Sequence, residues 1–86
     1  MDLGITGKRA AVAAASAGLG YASAQALRVA GCEVAICGRD GSRLEQAASA
    51  IGATPIVADV SHPEGAAQFV RDAASALGGV DILVKN

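Results

Sequence analysis

The sequence predicts an α/β fold: a doubly wound parallel sheet with its first four strands in the order 3-2-1-4, carrying three helices. Three observations lead there. Short apolar runs alternate with helical repeats of about a dozen residues, from a first strand to a fourth, the pattern of parallel strands joined by right-handed crossovers. A segment of small residues, Ala11 to Gly20, lies between the first strand and the first helix, where a nucleotide-binding unit places its phosphate loop. The chain has 86 residues, 52% of them apolar and many of these alanine, which suits one small domain of helices packed closely on a sheet.

Lys8 to Ala14 reads as the first strand. Leu19, Ala22, Ser23, Ala26, Leu27 and Ala30 then recur at helical spacing and are assigned the buried face of the first helix, with Gly31 just past its end. Glu33 to Cys37 is the second strand. Asp40 is the expected N-cap of the second helix, whose buried stripe is Leu44, Ala47, Ala48 and Ile51 and which Gly52 closes. Thr54 to Ala58 is the third strand, with Pro55 tolerable near its start. Ser61-His62-Pro63-Glu64 reads as a capping box with Ser61 as N-cap. Ala66, Phe69, Val70, Ala73 and Leu77 give the third helix its apolar side, and Gly78-Gly79 stops it. Val80 to Lys85 is the fourth strand, with Val80, Ile82 and Val84 on one face and Leu83 on the other. The first two helices are expected on one face of the sheet and the third on the opposite face. Residues 1–86 contain no linker and no second domain.

Composition excludes several classes of function. Seven basic and eight acidic residues give a net charge of −1 and are scattered, so no nucleic-acid partner is expected. No run of about 18 apolar residues is present to span a membrane. Met1-Asp2-Leu3-Gly4 has neither the basic start nor the apolar core of a signal peptide, so a cytoplasmic location is expected. Cys32 and Cys37 flank the second strand at a spacing that sends them to opposite faces, as free buried thiols. With His62 the only histidine, no metal site is expected.

The residues that carry chemistry cluster at strand ends. Gly18 and Gly20 let the backbone approach a pyrophosphate, and the helix they open supplies free N–H groups and a positive dipole end. The plain alternative is a tight turn with no ligand. Arg39, at the end of the second strand, occupies the position that meets an adenosine ribose. A basic residue there suits a 2′-phosphate, whereas an acid would accept from a free 2′-hydroxyl. Gly38 offers no acid; Asp40 could reach the ribose, but a helix cap explains it equally well. Asp59 could accept from an adenine amino group while Val60 packs on the ring; the alternative is a strand-end carboxylate near a helix cap. Asn86 could hold a neighbouring backbone or ribose. His62 is expected to be an exposed first-turn residue, and Asp72 and Asp81 surface or strand-entry carboxylates. Tyr21 has Gln25 rather than a lysine one helical turn on, and no nucleophile constellation can be assembled.

The chain resembles the short-chain dehydrogenase/reductase family, with a Rossmann-type fold, over essentially its whole length. Ala13-Ala14-Ala15-Ser16-Ala17-Gly18-Leu19-Gly20 is similar to the family's Thr-Gly-x-x-x-Gly-x-Gly loop. Arg39 is similar to the NADP-preferring members, Asp59-Val60 to the adenine-contacting pair, and Asp81 to Asn86 to the strand entering the Asn-Asn-Ala-Gly motif. The resemblance implies an NAD(P)-dependent oxidoreductase that acts on a small carbonyl or alcohol substrate and is homo-oligomeric when intact. NADP is the expected cofactor, with NAD the weaker fit. The residues expected to bind it are Ala14, Ala15, Ser16, Ala17, Gly18, Leu19, Gly20, Arg39, Asp59, Val60 and Asn86. The family's catalytic Asn, Ser and Tyr-x-x-x-Lys lie beyond the point matching Asn86, so no catalytic residue is assigned and the 86-residue chain alone is expected to be inactive. Within the family, the likeness is greatest to 3-oxoacyl-thioester (acyl carrier protein) reductases. The other reading is a non-enzymatic or truncated nucleotide-binding module.

Three departures from the family pattern bear on binding. Ala13 and Ala14 replace the motif's Thr and first Gly, so either position 14 has an ordinary φ or the loop is altered. Lys85 replaces the first Asn. Position 17, often basic in NADP-preferring relatives, is Ala, leaving a 2′-phosphate to Arg39 alone or with Arg43.

Overall fold

The structure, a computed structural model, describes residues 4–85. Met1 to Leu3 and Asn86 lie outside the described residues, and with them the reading of the leading segment and the cofactor contact expected of Asn86. The elements follow in the expected order: β1 (Arg9–Val12), α1 (Gly18–Val29), β2 (Glu33–Gly38), α2 (Gly41–Ile51), β3 (Thr54–Val57), α3 (Pro63–Leu77) and β4 (Ile82–Val84). All neighbouring strands are parallel and the sheet order is β3-β2-β1-β4. β1 and β2 are central, and Ala10, Ala11, Val12, Ala35 and Ile36 have no exposed surface. The two central strands are covered on both faces, as parallel pairing favours, while Val57 of β3 and Leu83 of β4 stay exposed at the edges.

The helices divide as the crossover rule demands. α1 and α2 pack on one face, where Ala24, Leu44, Ala47 and Ala48 meet Ala10, Val12, Val34 and Ile36. α3 packs on the other, where Phe69 and Ala73 meet Ala11, Ala13, Ala35 and Cys37. Cys32 belongs to the first cluster and Cys37 to the second, and both are free. The alanine methyls of the central strands let the helices approach closely, and Phe69 is the largest fully buried side chain.

Local sequence explains most of the boundaries. Asp40 caps α2, its carboxylate accepting from the N–H groups of Ser42 and Arg43 at 3.1 and 3.2 Å. Gly52 and Gly78 end α2 and α3 in the left-handed conformation, φ 73° and 85°. Pro63 opens α3, where its missing N–H costs nothing.

Three expectations are corrected. The buried face of α1 is not Leu19, Ala22 and Ala26, which are exposed; Gly20 and Ala24 are buried, and Tyr21, Ser23, Leu27 and Arg28 are half-buried. Alanines at positions 22, 24 and 26 give no preferred face, and Arg28 settles the rotation by donating to the carbonyls of Cys32 (2.9 Å) and Ile51 (3.2 Å). Ser61 is not the N-cap of α3. That position belongs to His62, which offers no side-chain cap, because the Ser61 hydroxyl instead donates to Asp59 at 2.6 Å. Val80 lies before β4 and packs with the α3-side cluster, while Ile82 and Val84 pack with the opposite one.

Asp81 is more than a strand-entry carboxylate. It accepts from the Arg9 Nε at 3.1 Å and from the Arg9 backbone N–H at 2.9 Å, and its own N–H donates to the Arg9 carbonyl at 2.7 Å. Arg9 also donates to the Gly78 carbonyl at 2.7 Å, so one side chain fastens the α3–β4 turn to the start of β1. These bonds hold the Asp81 carboxyl below its ordinary range, chiefly through the Arg9 side chain.

Candidate cofactor cleft

The chain leaves β1 and turns into α1 beside the end of β2. Ala15 donates its N–H to the Cys37 carbonyl at 2.9 Å, and Ala14 donates its N–H to the Cys37 Sγ at 3.3 Å. Ala14 has φ 52°, so alanine adopts the left-handed turn that the family motif gives to glycine. Ala17 is extended, Gly18 opens α1 at φ 66°, and no side chain caps this helix. Its first-turn N–H groups are therefore offered to whatever lies beyond them.

A cleft of about 360 Å³ sits over the carboxyl ends of β1, β2 and β3, bordered by Ala14, Ser16, Gly38, Arg39, Asp59 and Val60. A second hollow, between Ser16, Arg39, Asp40 and Arg43, shares two of those residues and continues the first. Gly38 presents no side chain to Ser16: a methyl there would lie 3.5 Å from the Ser16 hydroxyl. The carboxyl ends of parallel strands, where the order reverses at β1, are where α/β sheets take ligands.

Asp59 is held ready as an acceptor. Its Oδ1 accepts from the Ser61 hydroxyl at 2.6 Å and from the Ser61 N–H at 3.0 Å, leaving Oδ2 facing the exposed His62 at 3.8 Å. The Ser61 bonds, the hydroxyl first, keep the carboxyl below its ordinary range, with smaller contributions from His62 and Arg39. The group is a carboxylate at neutral pH.

The structure thus gathers Ala14, Ser16, Arg39, Asp59 and Val60 around one cleft. It places others elsewhere. Ala15 is fully buried and its N–H is already engaged, so its part is structural. Ala17, Gly18 and Leu19 stand exposed at the start of α1, and Gly20 is buried. Asp40 spends its Oδ1 on the α2 cap. Lys85 and Leu83 edge a separate hollow of about 220 Å³ beneath α3 that shares Val60 with the cleft. Two contributors escape a reading of motifs. Ser61, two residues after Asp59, orients that carboxylate, and the Asp-x-Ser spacing of an Asx turn is a signal that finds it. Cys37 has no such signal, because its contact with Ala14 spans 23 positions. Among the described residues no cluster of His, Cys, Asp or Glu could hold a metal ion, and no helix is long and apolar enough to cross a membrane.

Comparison with known proteins agrees with this geometry. The family profile described as short chain dehydrogenase matches residues 8–86. L-xylulose reductase of Mus musculus is 36% identical over the whole chain, which spans 34% of that protein. An oxidoreductase of Mycobacterium tuberculosis is 38% identical over 92% of the chain, or 32% of its own length. The chain therefore spans about a third of the curated relatives it matches. A putative short-chain alcohol dehydrogenase from Sinorhizobium meliloti superposes with a TM-score of 0.85 at 40% identity, covering 99% of this chain and 35% of that one. L-sorbose reductase from Gluconobacter frateurii, solved with NADPH and L-sorbose, gives 0.85 at 35% identity, covering 100% and 35%. The Rossmann-type sheet, the loop and cleft at its carboxyl edge and these similarities have one conclusion: the chain belongs to the short-chain dehydrogenase family.

Proposed function

We propose that this chain is the dinucleotide-binding part of an NADP(H)-dependent oxidoreductase that interconverts a small carbonyl compound and its alcohol. The observation that carries the reading is Arg39 on the wall shared by the two hollows, with Ser16 beside it in both and Asp59 and Val60 beyond it in one. Arg39, assisted by Arg43, would hold the 2′-phosphate; the uncapped start of α1 would meet the pyrophosphate. Asp59 Oδ2 would accept from the adenine amino group, with Val60 against the ring. The polar donors and the side-chain-free wall at Gly38 fit such a group. When bound, the dinucleotide would supply hydride in its reduced form and accept it in its oxidised form. The general acid such a reduction needs is assigned to no residue of this chain.

The relatives named for L-xylulose and L-sorbose favour a sugar-like ketone over the 3-oxoacyl thioester that the sequence alone brings to mind. The class common to both is a carbonyl compound or its alcohol.

Titration of NADP and NAD against wild type and Arg39→Ala tests the assignment. A charge-assisted contact at an exposed arginine gives roughly a tenfold loss of NADP affinity, with NAD unchanged. Equal NADP affinity in the two proteins would overturn it.

A further inference from the structure

We propose that Cys37 is a positioning residue of this cleft: its buried sulfur, by accepting the Ala14 N–H, holds the β1–α1 turn in the shape that sets Ser16 opposite Gly38. The proposal rests on the cofactor reading above. Cys37 has no exposed surface and lies on β2, across from the turn it holds. It grips two successive residues of the loop, Ala15 through its carbonyl at 2.9 Å and Ala14 through its sulfur at 3.3 Å. The second grip matters because Ala14 is held at φ 52°, which an alanine adopts only when its surroundings enforce it. The thiol packs in a cluster with Ala11, Ala13, Ala35 and Phe69, none of whose side chains can accept a hydrogen bond. Removing the sulfur therefore removes an acceptor that none of these side chains replaces. Ala14, Ser16 and Gly38 all border the cleft, so a turn released at Ala14 is released where the ligand binds.

A packing role and a positioning role make opposite predictions for two substitutions. Cys37→Val keeps an apolar group of similar size and loses the acceptor. Cys37→Ser keeps an acceptor and loses apolar volume. Amide hydrogen exchange at Ala14 reads the turn directly, without ligand, and titration with NADP reads the cleft. We expect Ala14 to exchange about tenfold faster in Cys37→Val, with NADP affinity about fivefold weaker, and both to return to within about twofold of wild type in Cys37→Ser. Exchange at Ile36, inside the sheet, should stay unchanged in both. Should the valine variant fail to fold, Cys37→Ala removes the acceptor in its place. Wild-type exchange at Ala14 in the valine or alanine variant, or a serine variant as fast as these, overturns the proposal while leaving the cofactor reading intact. A wild-type chain that binds no NADP overturns both.

Discussion

Gly65 lies in the first turn of α3, two residues after Pro63, and Gly65→Ala sets two effects against each other. Helix propensity alone favours alanine by about 0.8–1 kcal/mol. Sterics oppose it. A methyl group on Gly65 would fall 2.7 Å from the Asp59 carbonyl carbon and closer still to its oxygen. Carbon atoms in contact sit at about 3.5–4.0 Å and the nearer oxygen demands the larger shift, so α3 or the Asp59–Ser61 turn must move by more than about 1 Å. The neighbour is backbone, which cannot rotate away as a flexible side chain could. Overpacking of this kind costs about 1–3 kcal/mol, and the upper part of that range applies. The net expectation is a loss of about 1–2 kcal/mol, or roughly 5–15 °C in Tm for a domain of this size. Gly41, the first residue of α2, is the internal control: its added methyl would meet only Val57, at an ordinary 3.6 Å. Gly41→Ala should therefore leave stability unchanged or raise it slightly. Urea and thermal unfolding of the two variants beside wild type measure the contrast. A Gly65→Ala protein as stable as Gly41→Ala would refute the close approach of α3 to Asp59.

Ala14→Gly should raise stability by about 0.5–1 kcal/mol, since it relieves a left-handed alanine at an exposed position, less the entropy glycine adds to the unfolded chain. Chemical denaturation measures it, and a loss of stability would contradict the positive φ. Asp81→Asn should weaken the chain at neutral pH and flatten its acid sensitivity. The Asp81 carboxyl is depressed in the folded state, so its contribution is present above the unfolded value of about 3.9 and is lost as pH falls through the lower folded value. Unfolding midpoints from pH 7 down to pH 2 decide this; parallel profiles for variant and wild type would sink it.

The order of elements, the strand order and the side each helix takes were legible because they follow from local pattern and crossover handedness, which tertiary contacts do not alter. The Asp40 cap, the glycine ends at Gly52 and Gly78 and the opposite facing of Cys32 and Cys37 are equally local. Gathering Ser16, Arg39 and Asp59 at one edge required only that strand ends come together in a parallel sheet. The sequence by itself therefore determined the frame of this protein and the region of its cleft. Only the tertiary structure decided how α1 is rotated, because a helix rich in alanine has no distinctive stripe and the bonds of Arg28 across to Cys32 and Ile51 select the face. It also decided that Arg9 and Asp81 join positions 72 apart and that Cys37 holds Ala14 across 23 positions. Each of these is a hydrogen bond whose outcome depends on competing partners brought close by folding, and residue spacing carries no record of that competition.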